Sequence, residues 1–139
     1  MKNRLKVILD TNILLVSISS KSKYHWIFST LLHGKYELYV TNEVLLEYEE
    51  IISSKYSEEV AKDVIRTLLH LENVVLMTPF FKWDLIAEDK DDNKFVDCYL
   101  ISNGDVLVSN DRHFDGLKEI DFPKVTVIKI DEFKKFFTR

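Results

Sequence analysis

The chain has 139 residues, of which 46% are hydrophobic and 30% charged, with three Gly, two Pro and one Cys. That composition fits one globular domain with a sizeable core and excludes an intramolecular disulfide framework, a low-complexity tail or a flexible linker. A net charge of −4 excludes a domain that grips nucleic acid by bulk positive charge, though not nucleic acid as a substrate.

Lys2, Arg4 and Lys6 lead into an apolar run that Asp10 and Asn12 interrupt, so neither a signal peptide nor a membrane span is expected. Cys98, alone and between apolar neighbours, points to a reducing compartment, and the protein is expected to be cytoplasmic. In chain order, Leu5–Leu9 reads as a strand buried on both faces, followed by a helix from about Asn12 and another over Tyr24–His33. Tyr36–Val40 reads as a second strand. Thr41 is an N-cap candidate for a helix over Asn42–Ser53, and Ser57 for one running to Leu71. Asn73–Met77 resembles a strand, and Thr78–Lys90, with Pro79 and mixed polarity, a loop. A helix over Asn93–Ser102, a strand over Asp105–Val108, a helix over Asp111–Lys118, a strand over Val125–Ile128 and a helix over Asp131–Phe137 complete the chain. Strands alternating with helices imply an α/β domain, its sheet parallel and covered on both faces.

Acidic residues recur where these elements begin or end: Asp10 after the first strand, Asp91 and Asp92 before Phe95–Ile101, and Asp111 after Val106–Val108. An open α/β sheet places its ligand crevice beyond the carboxyl ends of its strands. If the first and fourth strands are neighbours, Asp10 and Asp111 share that crevice. Carboxylates gathered there repel, and three or more favour Mg²⁺ or Mn²⁺, which prefer hard oxygen ligands. His25, His33, His70 and His113 form no close pair at ligand spacing, and one Cys argues further against zinc.

Helical geometry selects among the remaining acids. In Asn42–Ser53 the residues Val44, Leu45, Tyr48, Ile51 and Ile52 make one stripe, with Glu47 at its edge and Glu43, Glu49 and Glu50 further round. Asp92 projects with Phe95, Val96 and Tyr99, so it is either a ligand or an N-terminal cap; Asp97 points elsewhere, as a further ligand or a partner for Lys94. Lys21, Lys23, Lys35, Lys55 and Arg112 could contact phosphates, and Tyr24, Trp26, Phe80, Phe81 or Trp83 could stack on bases. For most of these, solvated lysines and packed aromatics are the ordinary reading.

The segments Val7-Ile8-Leu9-Asp10-Thr11-Asn12, Leu45-Leu46-Glu47-Tyr48, Asp91-Asp92-Asn93-Lys94-Phe95 and Val106-Leu107-Val108-Ser109-Asn110-Asp111 resemble the PIN-domain signature in order and spacing. The resemblance spans nearly the whole chain and is greatest to the branch of toxin components of toxin–antitoxin systems, with VapC-type ribonucleases as relatives. It implies a single-domain α/β/α sandwich with a mainly parallel central sheet, and a Mg²⁺- or Mn²⁺-dependent endoribonuclease acting on single-stranded or structured RNA. By the family pattern Asp10, Glu47, Asp92 and Asp111 form the acidic quartet, with Asp97 at an additional acidic position. Asn12 and Ser109 would orient carboxylates or waters. Asn110 stands where the branch often has Gly, and Asp115 is a weaker candidate for the site. The resemblance also implies a small antitoxin covering the crevice and a homodimer, to which Leu46 and Phe81 could contribute.

Other readings fit less of the chain. A haloacid-dehalogenase-like phosphotransferase needs an Asp two residues after Asp10, where Asn12 stands. A receiver domain needs a phosphoacceptor Asp after a middle strand, where Thr41 or Thr78 stands. A catalytically silent PIN-like scaffold that binds RNA or a protein partner is the alternative that the acidic quartet argues against.

Overall fold

The computed structural model describes residues 4–79, 82–86 and 92–138. Five strands form one parallel sheet in the order β3-β2-β1-β4-β5: β1 (Leu5–Leu9), β2 (Tyr36–Val40), β3 (Val74–Leu76), β4 (Val106–Val108) and β5 (Val127–Ile128). The central pair explains its own sequence. Val7, Ile8 and Leu9 of β1 and all three residues of β4 are buried, because a strand covered on both faces needs apolar side chains in both directions. In β2 burial alternates, with Tyr36, Leu38 and Val40 inside and Glu37 and Tyr39 partly exposed.

Between β1 and β2 run α1 (Thr11–Ser17) and α2 (His25–Leu32), and between β2 and β3 the pair α3 (Asn42–Lys55) and α4 (Glu58–His70). α5 (Asn93–Ser102) joins β3 to β4, a 3₁₀ segment (Arg112–Glu119) joins β4 to β5, and α6 (Ile130–Lys134) follows. The chain thus winds outward from β1 to β3 and then crosses back to β4 and β5. With right-handed crossovers, this reversal puts the first helices and α5 on opposite faces and makes β1/β4 the switch point of the sheet. α6 closes one face through Phe133, whose ring lies 5.6 Å from Trp26 of α2 and 5.3 Å from Tyr36 of β2.

Both expected caps are formed: Thr41 Oγ1 accepts from Val44 N at 3.2 Å and Ser57 Oγ from Val60 N at 3.1 Å. α5 ends at Asn103 in the left-handed region (φ 56°), and Gly104 follows because a Cβ there would meet Ile8 and Tyr99 side-chain atoms at 2.8 Å. That close approach seats the start of β4 against β1. The helix expected over Asp111–Lys118 is instead 3₁₀. Its buried anchors, Phe114 and Leu117, are three residues apart, the period of that tighter helix, and Gly116 between them adds no packing. The last helix starts one residue early and ends at Lys134 rather than Phe137. Phe80, Phe81 and Asp91 lie outside the described residues, as do 87–90. Among the described residues no helix is long and apolar enough to cross a membrane.

Candidate metal centre

Asp10 emerges where β1 ends against β4. Its backbone N–H donates to Val108 O at 3.1 Å, extending the β1–β4 ladder by one residue, and its carbonyl accepts from Ile13 N at 3.0 Å to start α1. The carboxylate occupies the N-cap position yet makes no cap hydrogen bond, because it turns to Ser109, whose Oγ donates to Oδ2 at 2.8 Å. Only 5% of the residue is exposed, and burial pushes its pKa up to about 6. Hydrogen bonds from Ser109 and the Thr11 backbone oppose that rise, while the charges of Asp111 and Glu47 add to it. These two acids are therefore close enough to be felt at Asp10.

Ser109 Oγ also accepts from Asp111 N at 3.0 Å, so one hydroxyl ties the residue after β1 to the residue three beyond β4. Asp10, Asn12, Asn110 and Asp111 line a cleft of about 240 Å³ with Ile13, Val16, Tyr24 and Ile130. Asn12 is exposed at its mouth. Glu47 arrives from α3, which is held over the carboxyl edge of the sheet by the buried Tyr48 hydroxyl donating to Leu9 O at 2.5 Å. The Glu47 carboxylate accepts from Thr11 Oγ1 and pairs with Lys94 Nζ of α5 at 2.6 Å.

Asp92 sits at the N-cap of α5 but, like Asp10, makes no cap hydrogen bond. Its Oδ2 lies 3.1 Å from His113 Nδ1, and Asp111 Oδ1 lies 3.3 Å from the same nitrogen. Asp111 does cap its segment, accepting from His113 N at 2.9 Å. One ligand atom from each of Asp92, Asp111 and His113 lies within 4.8 Å of the others. His113 is the residue that sequence reasoning missed. It belongs to no histidine pair, and its signal in the sequence is its place two residues after Asp111, in the first turn of the segment. Lys94, a candidate partner for Asp97 from the sequence, forms its ion pair with Glu47.

Asp97 is 6% exposed and its carboxylate accepts from Trp83 N at 3.0 Å, beside a second cleft lined by Pro79, Trp83, Phe122 and Pro123. Burial raises its pKa, with Asp84 and Glu43 adding and Lys82 opposing, so the charges acting on it come from the 82–84 stretch and α3. Asp115 is exposed. Of the aromatics considered for stacking, Trp26 packs on Phe133 and Phe137, Trp83 meets Phe122 edge-on, and Tyr24 lines the cleft beside Asp10. Lys21, Lys23, Lys35, Lys55 and Arg112 are all exposed.

The donor set is rich in carboxylate oxygen, contains one imidazole and no thiolate, and suits a hard or borderline divalent cation. The raised pKa of Asp10 comes first from burial, with the charges of Asp111 and Glu47 as smaller contributions.

Fold and site together define an α/β domain with an acidic centre at the switch point of a parallel sheet. The PIN-domain model matches residues 6–113, and the chain belongs to the PIN-domain family. Its fold is similar to that of VapBC2 from Rickettsia felis, solved bound to a DNA fragment from their promoter: TM-score 0.63 at 16% identity, covering 90% of this chain and 98% of that one. It is also similar to Mycobacterium tuberculosis VapC20, a sarcin–ricin loop cleaving toxin, with a TM-score of 0.60 at 11% identity over 83% of this chain and 97% of that one. The T. brucei RRP44 PIN domain matches with a TM-score of 0.56 at 11% identity, over 97% of this chain and 82% of that one. At these identities the likeness is one of fold. No curated protein sequence matches the chain.

Proposed function

We propose that this PIN domain is a Mg²⁺- or Mn²⁺-dependent endoribonuclease and the toxin of a toxin–antitoxin pair. The observation that carries the reading is the convergence of Asp10 and Asp111 on one cleft at the β1/β4 switch point, with Glu47 near enough to raise the pKa of Asp10. Asp10, Glu47, Asp92 and Asp111 would hold the metal, with Asp97 as an outlying acid whose carboxylate now serves the Trp83 backbone. A bound divalent ion supplies an acidified water and offsets charge on the scissile phosphate. The chain's own part is orientation. Ser109 fixes the Asp10 carboxylate, Thr11 and Lys94 fix that of Glu47, and Asn12 at the cleft mouth is available to a water or a phosphate oxygen.

The toxin assignment draws on the VapC likeness: VapC20 is a loop-cleaving toxin, and a small antitoxin masking the acidic cleft is the corresponding partner here. Leu46, 64% exposed on α3, would contribute to a homodimer. A reducing cytoplasm suits the single, buried thiol of Cys98.

The test is cleavage of a mixed RNA panel with Mg²⁺ or Mn²⁺, comparing wild type with Asp10→Asn and Asp111→Asn. Metal-dependent cleavage that falls about a hundredfold or more in both folded variants is expected, the scale of losing an electrostatic contact to the transition state. A wild-type chain that neither cleaves RNA nor gains thermal stability with metal would leave the silent scaffold as the better account.

A further inference from the structure

We propose that His113 is a nitrogen ligand of the metal centre, and that it biases the site toward Mn²⁺ over Mg²⁺. The inference rests on the metal-dependent reading above and adds a ligand outside the acidic quartet.

The geometry is that of a coordination shell. Cis donors on an octahedral ion with bonds of about 2.1 Å stand about 3.0 Å apart. His113 Nδ1 is 3.1 Å from Asp92 Oδ2 and 3.3 Å from Asp111 Oδ1. All three donor atoms fall within 4.8 Å, a span that one ion can bridge. The ring is held there by its neighbours in sequence. Its backbone N–H caps onto Asp111, and the buried Phe114 and Leu117 pin the 3₁₀ segment below it, leaving the imidazole against Asp92 and Asp111 with 43% of its side chain exposed. Nδ1 is hydrogen-bonded to Asp92 Oδ2, and with its proton moved to Nε2 it would offer its lone pair to an ion held between the two carboxylates. The other three histidines spend Nδ1 on local backbone carbonyls: His25 on Ser17, His33 on Ser29 and His70 on Arg66.

The chemistry then gives the selectivity. Mg²⁺ takes oxygen ligands almost exclusively, whereas Mn²⁺ accepts imidazole alongside carboxylate. Replacing one oxygen donor by His113 costs Mg²⁺ more than Mn²⁺. An ordinary imidazolium bridging two carboxylates would instead leave when the metal enters.

The experiment is pulsed electron paramagnetic resonance on the full chain loaded with Mn²⁺, together with calorimetric titration of Mn²⁺ and Mg²⁺ into wild type, His113→Gln and His113→Asp. Wild type is expected to show ¹⁴N coupling of an imidazole bound to Mn²⁺, absent from both variants. The Mn²⁺/Mg²⁺ affinity ratio is expected to fall about tenfold in His113→Gln. His113→Asp puts an oxygen donor in place of the nitrogen and checks that the site survives. Melting curves in EDTA confirm that both variants fold. Bound Mn²⁺ without nitrogen coupling, or coupling that persists in His113→Gln, overturns the proposal and leaves the nuclease reading standing. Absence of any Mn²⁺ binding removes both.

Discussion

At Asp10 the folded chain holds a carboxylate that burial pushes from 3.8 up to about 6, against the pull of Ser109 and Thr11 hydrogen bonds. A folded-state pKa above the unfolded one means that the neutral form is favoured by folding. That contribution is complete below about pH 3.8 and is lost as pH rises through about 6. At neutral pH the metal-free native state bears the cost of an ionised Asp10, on the order of 3 kcal/mol by the size of the shift. Asp10→Asn keeps an acceptor for Ser109 and removes the charge. In EDTA at pH 7.5 the variant is expected to melt above wild type, and the gain should shrink at pH 4. Saturating Mn²⁺ should reverse the order, since only wild type gains full stability from binding. Equal melting temperatures in EDTA at pH 7.5 would show that Asp10 is not under this stress. The approach of Asp10 to Asp111 was legible because each follows an apolar strand. The contacts of His113 and Asp97 were not, since they depend on a 3₁₀ turn and on the Trp83 loop, neither of which has a periodic signature.

Among the elements, α3 links core and site most directly. One turn of it carries Tyr48, fully buried with its hydroxyl on the last carbonyl of β1, next to Glu47, whose carboxylate meets Thr11 and Lys94. Tyr48→Phe leaves Leu9 O without that donor in the interior, and a loss of about 1–3 kcal/mol is expected by urea denaturation. Because Leu9 directly precedes Asp10, Mn²⁺ affinity should fall in the same variant. Ser57→Ala, which removes the α4 cap, should cost about 1 kcal/mol and leave Mn²⁺ affinity unchanged. Equal metal affinities in the two variants would separate Tyr48 from the site. The elements themselves were largely written in the sequence: the alternation in Tyr36–Val40, the caps at Thr41 and Ser57 and the solid run Leu5–Leu9 each map onto what forms. Where the sequence misled, as in the shortened α6, the reason is tertiary. Phe133 docks on Trp26 and Tyr36, and Phe137 reaches the same cluster from the turns beyond Lys134, without a continuing helix.

Across the whole molecule, charge sets a problem that the sheet topology places in one spot. The chain carries −4 overall, and its carboxyl edge gathers Asp10, Glu47, Asp92 and Asp111 where an RNA phosphate would have to sit under the proposed function. Lys94 and His113 lie against these acids, but Lys94 is committed to Glu47, while Lys21, Lys23 and Arg112 are exposed. Phosphate contacts depend on neutralising cations, and a bound divalent ion reverses the local sign. Metal should therefore be required for RNA to bind, before any bond is broken. Ca²⁺, an oxygen-seeking ion less suited to tight octahedral catalysis, separates the two steps. Fluorescence anisotropy of a labelled RNA oligonucleotide should show affinity rising about tenfold or more from EDTA to millimolar Ca²⁺ at fixed ionic strength. Asp10→Asn combined with Asp111→Asn should abolish the Ca²⁺ dependence, with binding in EDTA no weaker than wild type because two repelling charges are gone. Identical wild-type affinity in EDTA and Ca²⁺ would mean that RNA docks on a basic surface away from the cleft, and the acidic edge would lose its place as the substrate site.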